Sequence, residues 1–228
     1  MSRTAYPSSE GCVFQERQII SEDRVYRYGE VHTNKREVNS MLDLVKNETE
    51  RLESRFLEPA CGNGNFILEV LSRKINTLNK KFNNLEFEYK KNSILLASSI
   101  YGVDIIKENI DQTKNKIFDF YLNKCLFKKE IVKDNNFINS FKYILNKNIL
   151  HGDALTLKDT SGSALIFSEW SILNSKIKRR DFTFKDLIAF SPFEEGTLFS
   201  DLGEEVFIPQ PIKEFPLRDI FLLFEDEK

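Results

Sequence analysis

Apolar residues recur along the first two thirds of the chain in short blocks that alternate between helical and strand spacing. Val38, Met41, Leu42 and Val45 stand three and four apart, and Asn34 precedes Glu37 by three residues. That is a capping-box pattern opening a helix with one apolar face, which should end in the charged stretch 47–54. Residues 56–60 are a short apolar run closed by Cys61-Gly62-Asn63-Gly64, after which Phe66, Ile67, Val70, Leu71 and Ile75 resume helical spacing. The pattern predicts strand, glycine turn, helix. Residues 76–92 are rich in Asn and Lys and read as a polar helix end or an insertion. Residues 99–104 (SIYGVD) predict a second strand, followed by a helix carried by Ile106, Ile110, Ile117, Phe118 and Tyr121. A further Lys/Asn-rich connection leads to a third strand at Ile149 and Leu150, ending at Gly152-Asp153, and residues 164–167 (ALIF) are a candidate fourth. Strands separated by helices predict an α/β fold with a doubly wound, mostly parallel sheet. From residue 168 onward the pattern weakens.

Composition refines this picture. The 228 residues suit one domain with a sizeable core, and 20 Phe against 2 Met and 1 Trp point to a core built on Phe. A formal charge of −2 gives no global footprint for nucleic acid, so any DNA contact would need a local patch. Lys176, Lys178, Arg179 and Arg180 form the one dense basic cluster, readable either as phosphate contacts or as a solvated face. Cys12, Cys61 and Cys125 have neither metal-ligand spacing nor the even count of a disulfide framework, so reduced thiols, a cytoplasmic location and no metal are expected. No basic-then-apolar leader opens the chain, and neither secretion nor membrane insertion is expected.

The chemistry concentrates at the predicted strand ends. A glycine turn between strand and helix lets backbone approach a ligand closely, and the loop 58–66 lacks the GxGxxG spacing of pyrophosphate sites. Its short glycine pair suits a smaller, cationic ligand. Asp104 can accept hydrogen bonds from ribose hydroxyls and Asp153 from an adenine amino group. Both lie where open α/β sheets bind ligands, and the plain alternative for each is a helix cap. Trp170, beside Glu169, is read as a core Trp at a strand end, with stacking on a base as the alternative. His151 is read as structural.

The segment FLEPACGNGNF resembles the cofactor loop, (D/E)PACGxGxF, of the gamma-class DNA-adenine methyltransferases of type I and type IIG restriction-modification systems. GEVHTNKREVNSMLDLV is similar to that family's N-terminal segment and helix, with His32 and Asn34 in place of the usual Phe and Pro. YGVDI resembles its second cofactor motif and ILHGDAL its third. The resemblance runs from Gly29 to Leu155. It implies a class I (Rossmann-like) S-adenosylmethionine-dependent methyltransferase fold with three parts: an N-terminal helical part (1–55), a cofactor-binding α/β core (56–167) and an atypical C-terminal segment (168–228). It further implies that Thr33 lies near the methionine moiety, with Glu58, Pro59, Ala60, Gly62 and Gly64 shaping its pocket. Asp104 would bind the ribose, Ile105 would pack on the adenine face, and Asp153 with Ala154 would fix the adenine edge.

The family's catalytic loop, (N/D/S)PP(Y/F), polarises the adenine amino group and stacks the extruded base. No such tetrapeptide occurs in this chain; Ser191-Pro192-Phe193 is the nearest match. Three readings follow. The first is an S-adenosylmethionine-binding, adenine-specific DNA methyltransferase, or the cofactor-binding part of a split one completed by a catalytic or specificity partner. The second is a catalytically degenerate module that keeps the cofactor pocket and acts by binding. The third is a methyltransferase for small molecules or protein, which leaves the GEVHTN resemblance unused.

Overall fold

The computed structural model describes residues 21–31, 33–188 and 209–227; Cys12, His32 and the Ser191-Pro192-Phe193 segment lie outside them. Before the first strand, the described residues form three helices: α1 (Glu22–Tyr28), α2 (Lys35–Leu44) and α3 (Lys46–Thr49). Asn34 caps α2 as its sequence predicts, its side chain accepting the Glu37 N–H at 3.0 Å. Val38 and Leu42 are buried against Val70, whereas Met41 and Val45 stay exposed.

The α/β core runs β1 (Phe56–Glu58), α4 (Asn65–Lys81), α5 (Glu86–Ser98), β2 (Ile100–Asp104), α6 (Lys107–Lys124), α7 (Lys128–Ile131), α8 (Asn135–Asn148) and β3 (Ile149–His151). The three strands form a parallel sheet in the order β1-β2-β3, with Glu58 opposite Gly102 and Asp104 opposite His151. The alternation of side chains along β2 assigns its two faces. Gly102 turns toward the loop and α4, where a Cβ would meet Ile67 Cδ1 at 3.1 Å and the Cys61 side chain at 3.3 Å. Tyr101 and Val103 turn the other way and pack with Leu165, Phe167 and Phe184.

The Asn/Lys-rich stretches read as connections hold two helices, α5 and α8. Tyr89, Ile94, Leu96 and Ala97 of α5 and Phe137, Phe141, Ile144 and Leu145 of α8 join the main core. Phe141 stacks on Tyr121 with ring centroids 4.8 Å apart, and the buried Tyr121 hydroxyl donates to Ser93 Oγ at 2.8 Å. Each such aromatic side chain, fully buried, stabilises the fold by about 1.5–3 kcal/mol.

The expected fourth strand of the parallel sheet belongs to a different sheet. β4 (Ile166–Leu173) pairs antiparallel with β5 (Lys176–Thr183) through a turn at Asn174, whose φ is +56°. The short strands β6 (Lys213–Glu214) and β7 (Arg218–Asp219) add to β5, α9 (Phe184–Ile188) follows it, and a 3-10 helix (Leu223–Glu227) packs on α8. The architecture is therefore mixed α/β, with a three-stranded parallel sheet beside an antiparallel one. Trp170 is a core residue, 5% exposed, its Nε1 donating to Asn148 Oδ1 at 2.9 Å. Asn148 Nδ2 in turn reaches the Ile100 carbonyl at 3.1 Å, which ties the second sheet to β2. No described helix is long and apolar enough to cross a membrane.

Candidate functional site: an acid-lined cavity at the strand ends

A cavity of about 860 Å³ opens at the carboxyl ends of β1, β2 and β3. Its floor is the turn after β1. The Cys61 N–H donates to the Val103 carbonyl (2.8 Å), and Gly64 N–H closes the turn on Cys61 O (2.8 Å). Gly62 and Gly64 have φ of +48° and +87°, values that a side chain resists. Gly64 also stands against α6, where an added Cβ would come within 3.0 Å of Thr113 Cγ2. Burial of the Cys61 thiol, with Asp104 and Glu58 nearby, pushes its ionisation far up, so it packs as an apolar group.

Asp104 organises this floor. It is 8% exposed; Oδ2 accepts the Gly62 N–H (2.8 Å), while Oδ1 accepts the Ile106 N–H (2.8 Å) and Asn109 Nδ2 (3.2 Å). Glu30 closes the other side, Oε1 accepting from Asn109 Nδ2 at 2.7 Å and Oε2 standing 3.3 Å from Arg24 Nε. That contact is close enough for ion pairing but misaligned for a hydrogen bond, so Oε2 is buried without one. Glu58 is half-buried; burial pushes its carboxyl up, and the Ala60 N–H at 3.4 Å draws it partly back. Asp153 at the end of β3 is held low, chiefly by the Leu155 N–H at 2.8 Å. His151 Nε2 lies 3.1 Å from the Ile105 carbonyl and braces that wall.

Four carboxylates, Glu30, Glu58, Asp104 and Asp153, thus face one cavity, and no Lys, Arg or His lines it among the described residues. Apolar surface completes it: Ile105 is half exposed and Leu155 is 95% exposed at the rim.

Of the residues singled out in the sequence, Thr33, Glu58, Pro59, Ala60, Gly62, Asp104, Ile105, Asp153 and Ala154 all line this cavity, and Gly64 stands behind it as the N-cap of α4. Glu30, Asn63, Phe66, Asn109 and Leu155 also line it and are not among the site residues that the sequence indicates. Glu30 and Leu155 fall within the quoted motifs, whereas a single Asn in a helix's first turn carries no signal of its own.

Strand alternation splits the basic cluster: Lys176, Lys178 and Arg180 share one face of β5, while Arg179 turns to the other, 7% exposed and bidentate to Asp181 (2.8 and 2.7 Å), which closes it to phosphate. Lys178 pairs with Glu214 (2.6 Å) and Arg180 with Glu169 (2.7 Å), while Lys176 lies exposed at the start of β5. Glu169 also pairs with Arg55 at 2.7 Å. Among the described residues, no group of three or more His, Cys, Asp or Glu is placed to hold a metal ion. Comparison of the chain with protein-family models, with curated proteins and with solved structures finds no match.

Proposed function

We propose that the cavity binds S-adenosylmethionine, and that the chain is the cofactor-binding part of an adenine-specific DNA methyltransferase built on a class I, doubly wound core. The observation that carries the reading is the acid-lined cavity at the ends of parallel strands, where open α/β sheets take their ligands. Four carboxylates with no lining cation disfavour a nucleoside di- or triphosphate by like-charge repulsion. They favour a nucleoside that carries positive charge and hydroxyl or amino donors. S-adenosylmethionine has a sulfonium, an ammonium, two ribose hydroxyls and an adenine amino group, and its electrophilic methyl group is what it supplies when bound.

In this reading the resemblance distributes the ligand over the lining. Thr33, Glu58, Pro59, Ala60 and Gly62, with Gly64 behind them, take the methionine end. Asp104 takes the ribose hydroxyls, Ile105 the base face, and Asp153 with Ala154 the adenine edge. Exposed apolar side chains beside carboxylates suit an aromatic base with a polar rim. Methyl transfer to DNA then depends on an acceptor loop, for which Ser191-Pro192-Phe193 is the candidate in this chain, or on a partner subunit that brings one.

The enclosure of Arg179 favours a second reading, a methyltransferase-like module that binds the cofactor without acting on DNA.

Calorimetric titration tests the shared premise: S-adenosylmethionine is expected to bind, and absence of binding by both it and S-adenosylhomocysteine at millimolar concentration overturns the proposal. Transfer of labelled methyl groups to unmethylated DNA, by wild type and Phe193→Ala, separates the two readings. Incorporation lost in the variant supports the enzyme, and binding without incorporation supports the module or a missing partner.

A further inference from the structure

We propose that Asn109 is a positioning residue of the cavity, whose amide aims the Asp104 carboxylate at the ribose hydroxyls and couples it to the Glu30 segment. This rests on the reading of the cavity as a site for an adenosine-bearing ligand.

Asn109 is 1% exposed, in the first turn of α6. Its amide nitrogen spends both protons on carboxylates, one on Glu30 Oε1 at 2.7 Å and one on Asp104 Oδ1 at 3.2 Å. Its carbonyl oxygen faces Arg24 Nη2 at 3.4 Å. A neutral side chain thus bridges two buried anions and gives each a donor without adding a cation to the wall. Lys in its place would set a cation between the two carboxylates, and Asp would set a third carboxylate against them.

The consequence falls on Asp104. A carboxylate offers about four acceptor positions. The Ile106 N–H and Asn109 fill those of Oδ1, and the Gly62 N–H fills one on Oδ2. One position on Oδ2 is left, on a residue that lines the cavity. Without the Asn109 amide, Oδ1 has a vacant position and the carboxylate is held by the Ile106 and Gly62 N–H groups alone, so the acceptor offered to a hydroxyl is less firmly directed and competes with the vacancy on Oδ1. Preorganised acceptors of this kind act through geometry, and loosening them weakens the contacts they aim.

The test compares adenosine with 2′,3′-dideoxyadenosine, titrated into the full-length wild type, Asn109→Ala and the milder Asn109→Ser. A hydrogen bond to a charged group is worth roughly tenfold in affinity or more. Wild type should therefore prefer adenosine by about tenfold, and Asn109→Ala should lose about threefold of that preference while binding the dideoxy nucleoside within about twofold of wild type. Asn109→Ser keeps one donor and should fall between; it carries the test alone if Asn109→Ala does not fold. Equal weakening of both nucleosides marks a purely structural role and overturns the inference, as does an undiminished preference. Failure of wild type to bind S-adenosylmethionine and both nucleosides overturns the reading of the cavity, and the inference with it.

Discussion

Two buried ionic clusters in this chain are built from similar groups and differ in how their charge is balanced. In the antiparallel sheet, the Arg179 guanidinium forks onto both oxygens of Asp181, Ser168 Oγ donates to Asp181 Oδ1 at 2.7 Å, and Arg179 Nη1 reaches the Tyr143 hydroxyl. The Phe215 ring covers the guanidinium at 4.2 Å. One cation meets one anion and the shell is closed. At the cavity, Glu30 and Asp104 share the Asn109 amide and only Glu30 meets a guanidinium, that of Arg24, with Glu58 and Asp153 facing the same space. Negative charge outweighs positive charge along that lining, and like charges facing one space repel until something offsets them. A closed pair serves the fold; a surplus of one sign facing a cavity is what a ligand of the opposite sign requires.

Paired amide substitutions test that contrast most severely. Asp181→Asn leaves the Arg179 charge buried without its counterion and should cost about 3–5 kcal/mol of stability. Glu30→Gln removes one charge from a surplus and should cost less than about 1 kcal/mol. Urea unfolding of the two variants reads the difference directly. Equal losses would mean that the cavity carboxylates are as internally compensated as the pair in the sheet, and the contrast would fail.

Backbone proximity sharpens the comparison next, because the end of β3 leaves no room for a side chain. A Cβ on Gly152 would lie 2.7 Å from both the Lys158 carbonyl and Leu165 Cδ2. Gly152→Ala must push the 153–165 turn away, at a cost of about 1–3 kcal/mol, and shift Asp153 and Ala154 with it. The variant should lose both melting temperature and nucleoside affinity, whereas Gly162→Ala, with nothing within 4 Å of the added atom, should lose stability through its φ of +83° alone. Unchanged affinity in Gly152→Ala would detach the cavity from the turn.

What was legible in the sequence follows the same division. The glycine turn, Asp104 and Asp153 announce themselves because a sheet end needs turn residues and acceptors at fixed places, and nine of the ten cofactor-site residues singled out line the cavity. The α5 helix was hidden because it buries Tyr89, Ser93, Leu96 and Ala97 around much of its circumference and so lacks a polar stripe. The α8 helix was hidden by composition: Asn and Lys fill its exposed face while Phe137, Phe141, Ile144 and Leu145 face the core. The β4–β5 hairpin was missed for a subtler reason. Its strands do alternate, yet two of the inward positions on β5 are Arg179 and Asp181, so a period-2 pattern of burial reads in sequence as a run of charge. Nothing short of the pairing itself reveals that Arg179 points inward.

A smaller effect links the cavity to pH. Burial holds the Glu58 carboxyl above its ordinary value. A cationic ligand beside it favours the ionised form, so binding should release a proton as pH approaches the raised value, and affinity should fall as pH drops through it. Glu58→Gln should bind S-adenosylmethionine about tenfold more weakly and lose this pH dependence. Calorimetry in buffers of different ionisation heat measures the proton directly, and the same proton release in the variant would remove Glu58 from the site.

Lys74 supplies the smallest effect and a third way of balancing a buried charge. It is fully buried on α4, with no carboxylate in contact, and its three protons go to the Leu52 carbonyl (3.0 Å), the Ser54 carbonyl (2.5 Å) and Ser99 Oγ (2.8 Å). The Phe56 ring lies 5.3 Å away. Neutral acceptors satisfy the donors without repaying the loss of hydration, and burial lowers the ammonium to about 7, against partial support from Glu53 and Glu48. In the unfolded chain the ordinary value near 10.5 returns. Above pH 7 the folded lysine gives up its proton while the unfolded one keeps it, so the unfolded state binds more protons and stability rises with pH. Between pH 7 and 8 the gain is about 1 kcal/mol. The window stops there because Cys61, held up in the fold, acts in the opposite sense above its unfolded value of about 8.5. The gain should vanish in Lys74→Met, whatever that substitution does to absolute stability, so the difference between the two pH profiles isolates this group. Parallel profiles would show that Lys74 stays charged across the window, stabilised by its two carbonyls and one hydroxyl as fully as Arg179 is by Asp181.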